Sequence, residues 1–266
     1  MAKQIHFTSG LPRACSTLLQ NLLAQNPRVH ATATSGVHEI LYLSKAFFKT
    51  DEFKTIPDPK DGENIYQDFM RAGLASAFNS CTDRPVVVDK SRSWIGSANL
   101  LFQLFPDAKI LVPVRDIRGI LSSLEKIYQK HPSFRLEGTQ ADTPEIQTVE
   151  GRVKFWLKSP LLGFALQRIH ELARVHKGKV MFVHAEDLTS DPQGTMDRAW
   201  KYLGEEPFVH NTANVNQYTQ EHELGWPFGD HTIRPEIKPL NPDWDKVLGQ
   251  NLAESIHQKF NWINKL

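Results

Sequence analysis

Between Phe7 and Leu19 the chain reads FTSGLPRACSTLL: a short apolar run, a tight turn carrying Arg13, then Ser16 and Thr17 opening an apolar helix. A strand that turns directly into a helix aims backbone N–H groups and the positive helix end at an anion. Arg13 adds a rigid fork of donors suited to phosphate or sulfonate oxygens, and Ser16 and Thr17 add hydroxyl and capping contacts. The loop of nucleoside triphosphatases, GxxxxGK followed by Ser or Thr, does not fit. Laid on Gly10, it puts Cys15 at its second glycine and Ser16 at its lysine. The cation has moved to Arg13, inside the turn.

Two further segments end a strand in cations. VVVDKSRSW (Val86–Trp94) delivers Lys90, Ser91 and Arg92 at the C-terminal end of an apolar run, the edge where open parallel sheets collect ligands. Trp94 there suits stacking on a base or a place in the core. KILVPVRDIRGILSSLE (Lys109–Glu125) delivers Arg115, with Ser123 eight residues later, a spacing that meets on one phosphate only across a strand-to-helix bend. Asp116 reads as the cap of that helix rather than a metal ligand. For each cation the plain alternative is a solvated side chain or a nearly neutral surface ion pair.

The elements that must position these groups follow from apolar patterning. Ile5–Thr8, Val29–Thr32, Val86–Asp89, Lys109–Val114 and Val180–His184 read as short strands separated by helices, so the expected fold is α/β, three layers with a mostly parallel central sheet. Pro113 points to a strand end, bulge or edge. Helices are expected over Thr17–Gln25, Ile117–Gln129, Val153–Val175 with a break at Pro160, Pro192–Leu203 closed by Gly204, and Trp244–Phe260. Lys49–Asn64 and His131–Pro144 lack such periodicity and read as surface excursions.

With 266 residues, 40% of them apolar, and a net charge of +1, one domain is expected, with no global pull toward nucleic acid or an anionic membrane. Cys15 and Cys81 do not make a disulfide framework. Beside Arg13 and a helix start, Cys15 is drawn toward thiolate, with a bound anion opposing this. No apolar run is long enough for a span and no leader precedes Ile5, so a soluble cytoplasmic protein is expected. No His, Cys or carboxylate set stands at ligand spacing, so no metal is expected. Oligomeric state is not indicated.

Three ordered segments resemble the sulfotransferases that use 3'-phosphoadenylyl sulfate (PAPS). GLPRACSTLLQNLL resembles their 5'-phosphosulfate loop, VPVRDIRGILSS their 3'-phosphate motif, and HAEDLTSDPQGTMDRAWKYLG their later Glu-Asp-Leu segment. The loop is closer to the Pro-Arg type of bacterial and tyrosylprotein-like members than to cytosolic small-molecule enzymes. The resemblance implies a single domain over 1–266, a donor gripped by Leu11, Pro12, Arg13, Ala14, Cys15, Ser16 and Thr17, and a 3'-phosphate held by Arg115 and Ser123. It implies transfer of a sulfuryl group to a hydroxyl, less often an amine, with adenosine 3',5'-bisphosphate as product and Arg13 and Lys90 steadying the transferred group. Ala14-Cys15 replaces the usual Ser-Gly, and Ala185 replaces tyrosine. Arg92 lies where cytosolic relatives carry a histidine base, so the base must come from elsewhere. Relatives that act on protein tyrosine or heparan place a glutamate after the loop and helix, which points to Glu39, with His38 its competitor. A basic loop over the 3'-phosphate is represented by Arg234 within 225–240, with His231 and Lys238 weaker. Acceptor or lid excursions are expected at 40–75 and 130–150, where Phe47, Phe48, Phe53, Tyr66 and Phe69, with Tyr128, suggest an apolar cleft. Two other readings are an ATP-dependent small-molecule kinase, with Asp89 as its magnesium candidate, and an inactive nucleotide-binding relative.

Overall fold

Five short strands form one parallel sheet. The computed structural model describes residues 3–131, 144–221 and 231–266. In chain order the elements are β1 (Gln4–Thr8), α1 (Ser16–Gln25), β2 (Val29–Thr34), α2 (Val37–Phe47), α3 (Asp51–Lys54), α4 (Pro59–Cys81), β3 (Val86–Lys90), α5 (Ala98–Leu104), β4 (Ile110–Val114), α6 (Ile117–Lys130), α7 (Val149–Lys158), α8 (Gly163–Val175), β5 (Val180–His184), α9 (Ala185–Ser190), α10 (Pro192–Leu203), α11 (Trp244–Leu248) and α12 (Gln250–Phe260). Short 3₁₀ turns cover Arg92–Ser97, Pro144–Gln147 and Asn261–Lys265.

The strand order is β2-β3-β1-β4-β5, and every pairing is parallel. β3 and β4 are buried along their whole length, which explains their unbroken apolar runs. On one face Val86, Val88 and Leu111 pack against Leu19, Leu22 and Leu23 of α1 and Trp200 of α10. On the other, Phe7, Val87 and Val112 pack with the helices from α4 to α8 and with α12. The three α1 leucines are wholly buried, each contributing about 1.5–3 kcal/mol, so the start of α1 is fixed firmly over the sheet.

Because β1 lies between β3 and β4, the segments leaving these three strands are neighbours at the sheet's carboxyl edge. They carry Arg13, Lys90 and Arg115. Gly10 lets the first segment pass close over β4, since a Cβ there would meet Pro113 O at 2.2 Å. Leu11 N–H donates to that same oxygen at 2.9 Å.

Several expectations need correction. Lys49–Asn64 is largely helical: α3 falls inside it, and α4 starts at Pro59, capped by Asp58. The helical period was weak because α4 buries only the narrow stripe Met70, Leu74 and Phe78. β4 is an interior strand, not an edge. Pro113 is tolerated near its end because β1 pairs only as far as Thr8↔Leu111. The expected helix Trp244–Phe260 is two helices, separated by Gly249 at φ +84°. The break near Pro160 is present, between α7 and α8. Of the expected excursions, 132–143 and 222–230 lie outside the described residues. Among the described residues no helix is long and apolar enough to cross a membrane.

Candidate active site

The loop between β1 and α1 is built to present backbone. Arg13 and Cys15 both adopt positive φ, 58° and 59°, in a stretch without glycine at either position. Such turns gather successive N–H groups into a concavity for an anion. The side chains of Leu11 and Ala14 are buried in the core at 2% and 1% exposure, so these residues offer the loop only their backbone. The helix that follows has no side-chain cap and no acidic residue in its first turn, unlike α4, α6, α7 and α10, each of which has a capping side chain. Its first N–H groups and positive end therefore face the loop without an internal acceptor side chain.

Arg13, Arg115 and Ser123 meet here. Arg13 Nε donates to Ser123 Oγ at 3.1 Å, and Arg115 Nη1 donates to the Arg13 carbonyl at 3.0 Å. Arg115 lies over the first turn of α6, where a Cβ on Gly119 would stand 2.7 Å from its Nε. That Nε is buried with no hydrogen-bond partner among the described residues. Burial lowers the Arg115 pKa, with Arg13 adding to this and Glu186 opposing, yet an arginine remains a cation. Asp116 caps α6 through Arg118 N–H at 2.9 Å and pairs with the Arg118 guanidinium, as its position suggested. Glu186 accepts from Asp116 N–H at 3.2 Å and so supports the loop from below.

Cys15 departs from its expected tendency to thiolate. Burial pushes its thiol up, and this outweighs the pull of Arg115 and Arg13.

Lys90 ends β3 at 5% exposure, its Nζ 3.5 Å from Thr17 Oγ1. Its ammonium is clasped by Glu221, which also receives His231 Nε2 at 3.2 Å. Burial lowers the Lys90 pKa and Glu221 opposes that; burial raises Glu221, but Lys90 and His231 bring it below the ordinary range. Glu221 was not singled out from sequence, nor was Asn21. The wholly buried Asn21 accepts from Tyr218 N–H and Thr219 N–H at 2.6 and 2.9 Å, fastening the later segment across α1.

The remaining candidates are spread wider. His38 is buried, its Nε2 3.0 Å from Ser97 Oγ and its ring edge-on to Trp94 at 4.9 Å. Burial lowers its pKa, so the ring is neutral near pH 7. Glu39 Oε1 is 3.7 Å from His38 Nδ1 and 61% exposed at the head of α2. Arg234 is exposed. Its neighbour Ile233 donates to Gln217 Oε1 at 3.1 Å. Trp94 belongs to the core at 0% exposure, against Phe7 at 4.7 Å, and is closed to a base. Asp89 is equally buried, and its oxygens accept from Thr32, Ser35 and Trp94 at 3.1, 2.9 and 2.8 Å. Both oxygens are used in joining β2, β3 and the following turn, which removes the magnesium candidate of the kinase reading.

A family model described as "Sulfotransferase family" matches residues 7–209. Comparison with curated proteins found no match. Among solved structures, the chain is similar to the sulfotransferase domain of the Synechococcus PCC 7002 olefin synthase, with TM-score 0.55, 19% identity and coverage of 97% of this chain and 96% of that one. A sulfotransferase domain from the curacin biosynthetic pathway gives 0.57 at 15% identity, covering 98% of each chain. A sulfotransferase from Alicyclobacillus acidocaldarius gives 0.53 at 18%, covering 99% and 97%. At these identities the structural likeness is one of fold. The family match runs from β1 through α10, across every strand and the three segments that carry Arg13, Lys90 and Arg115, and on that ground the chain belongs to the sulfotransferase family.

Proposed function

We propose that this protein transfers a sulfuryl group from PAPS to a hydroxyl acceptor. The observation that carries the reading is the meeting of Arg13, Arg115 and Ser123 beside an uncapped helix start, with Lys90 reaching the same helix through Thr17. A donor with two separated anionic ends suits two separated sets of donors. The loop amides, Ser16, Thr17 and Lys90 suit the phosphosulfate end, and Arg115 with Ser123 suits the 3'-phosphate. Arg115 Nε has no hydrogen-bond partner among the described residues, and the bare Cα of Gly119 lets its guanidinium lie against α6.

When bound, the donor supplies a sulfuryl group already attached to a good leaving phosphate. The chain's residues do the rest. Arg13 and Lys90 neutralise the charge that gathers on the leaving oxygen, and the fixed loop amides do so without reorganising. Glu39 is the base in this reading, since its carboxylate is open at the head of α2 while His38 is enclosed by Ser97 and Trp94. It takes the acceptor hydroxyl proton as the oxygen bonds to sulfur and the sulfur–phosphate oxygen bond breaks. Positioning and electrostatics supply most of the rate, as in phosphoryl transfer.

Calorimetry with adenosine 3',5'-bisphosphate, AMP and ATP tests the donor assignment. The bisphosphate should bind at least tenfold tighter than either; equal affinities would remove PAPS as donor. Transfer of radiolabelled sulfate from PAPS across a panel of alcohols, phenols and sugars then tests the reaction.

A further inference from the structure

Helices α2, α3, α4 and α5 and the turns between them line an open cavity of about 560 Å³ that shares no lining residue with the loop around Arg13. That volume is typical of small-molecule sites, which span about 300–1,000 Å³. Its floor is apolar, made by Phe48, Phe53, Ile56, Pro59 and Leu100. The aromatic part is a built cluster: Phe48 meets Phe53 and Tyr66 edge-on at 4.5 and 4.7 Å, and Phe69 continues it at 5.7 Å toward the surface, where it is 61% exposed. Tyr128, grouped with these residues from sequence, lies elsewhere, under the Arg152 guanidinium at 4.3 Å. The Phe47 side chain lies outside the described residues.

The rim is basic. Lys45, Lys49 and Lys54 line it, against Glu63. Asp51 holds Lys54 at 2.8 Å, whereas Lys45 and Lys49 have no ion pair among the described residues. Tyr66 lines the cavity by its ring, and its Oη is buried behind the wall with no hydrogen-bond partner among the described residues. Burial raises the Tyr66 pKa, so the phenol keeps its proton. An apolar floor and two ammonium groups without an ion pair among the described residues define a ligand by its chemistry.

We propose that this cavity binds an amphipathic carboxylate, a medium-chain acyl anion whose tail lies among Phe48, Phe53, Ile56 and Leu100 and whose head meets Lys45 and Lys49. A neutral lipid would leave the lysines unused, and a compact polyanion would leave the aromatic floor bare. Charge complementarity therefore selects the acid over its alcohol.

Titration calorimetry of the full chain with decanoate and with decan-1-ol tests this. Decanoate should saturate one site, and decan-1-ol should bind at least tenfold more weakly. Two variants locate the site. Gly62 lines the cavity, with a Cβ there 3.6 Å from Ile56 Cδ1 and 4.0 Å from Phe53 Cδ1, so Gly62→Leu fills it and should abolish binding while thermal melts show a folded protein. The double variant Lys45→Glu, Lys49→Glu changes only the rim and should weaken decanoate at least tenfold, which keeps the question answerable should Gly62→Leu melt early. No saturable binding, equal affinity for the alcohol, or indifference to the rim charges would overturn the proposal. Each readout is of binding alone, so its failure is distinct from any failure of sulfuryl transfer.

Discussion

Arg13 Nε donates to Ser123 Oγ at 3.1 Å although 110 residues separate them. The bond joins the β1–α1 loop to the second turn of α6 and fixes the direction of the guanidinium. Arg13→Ala should therefore lower turnover by about 10²–10³-fold, the usual effect of losing a charge-stabilising donor, with little change in melting temperature because Arg13 is only half-buried. Steady-state kinetics beside a thermal melt decide it. Unchanged turnover would take Arg13 off the catalytic list.

Arg115 offers a cleaner test because Gly119 controls its place. Arg115→Ala should weaken adenosine 3',5'-bisphosphate by about 10–100-fold, the worth of a charged hydrogen bond, and AMP much less. Gly119→Ala should show the same selective loss while keeping the charge, since its Cβ would stand 2.7 Å from Arg115 Nε. Helix propensity favours that alanine by about 0.5–1 kcal/mol, so stability should not fall in parallel. An equal loss for both nucleotides would mean that Arg115 does not read the 3' group.

Glu39 and His38 separate by where they lie. Glu39→Gln should lower kcat and leave the melting temperature nearly unchanged, as its side chain is 61% exposed. His38→Gln should lower stability, because it disturbs a ring packed on Trp94 and bonded to Ser97. If His38→Gln loses kcat with an intact melt and Glu39→Gln does not, the histidine is the base.

Stability should hinge on one buried ion pair away from the site. Glu125 and Arg152 are 0% and 7% exposed and meet through two hydrogen bonds of 2.7 and 2.8 Å, joining α6 to α7. Removing one partner strands the other charge, so Glu125→Gln or Arg152→Met should cost about 3–5 kcal/mol in urea unfolding. A loss under about 1 kcal/mol would show the pair to be as weak as a surface bridge.

Acid sensitivity should begin above the carboxylate range. Burial holds the pKa of His6 and of His210 near about 4, against an ordinary 6.5. His210 Nε2 accepts from Trp200 Nε1 at 2.8 Å, a bond that protonation would break. As pH falls from 6.5 to about 4, the unfolded chain takes up these protons while the folded protein does not, so stability declines across that window. Melting curves at stepped pH should show the decline, and His210→Gln should flatten part of it.

The strands, α1, α6 and α10 were legible because each is specified locally. Apolar runs mark β3 and β4, a leucine stripe marks α1, and Asp191-Pro192 with Gly204 brackets α10. The cations were legible for the same reason, since Arg13, Lys90 and Arg115 each stand within a few residues of a strand end. What escaped was specified at a distance. Glu221 finds Lys90 across 131 residues and Asn21 finds Thr219 across 198, and no local period carries either pairing. All of α4 escaped because it buries only a narrow stripe of its own and meets partners from elsewhere, its Tyr66 packing on Phe48 just past α2, which in turn packs on Phe53 of α3. Cys15 was misjudged because neighbouring charge shows in a sequence and depth of burial does not.

The clasp of Glu221 on Lys90 bears on how the site fills. A lysine already matched by a carboxylate has no bare charge to offer, so an arriving anion trades places with one already seated. In the proposed reading the donor's anion and Glu221 compete for one ammonium, so occupancy at that corner is an exchange of counter-ions.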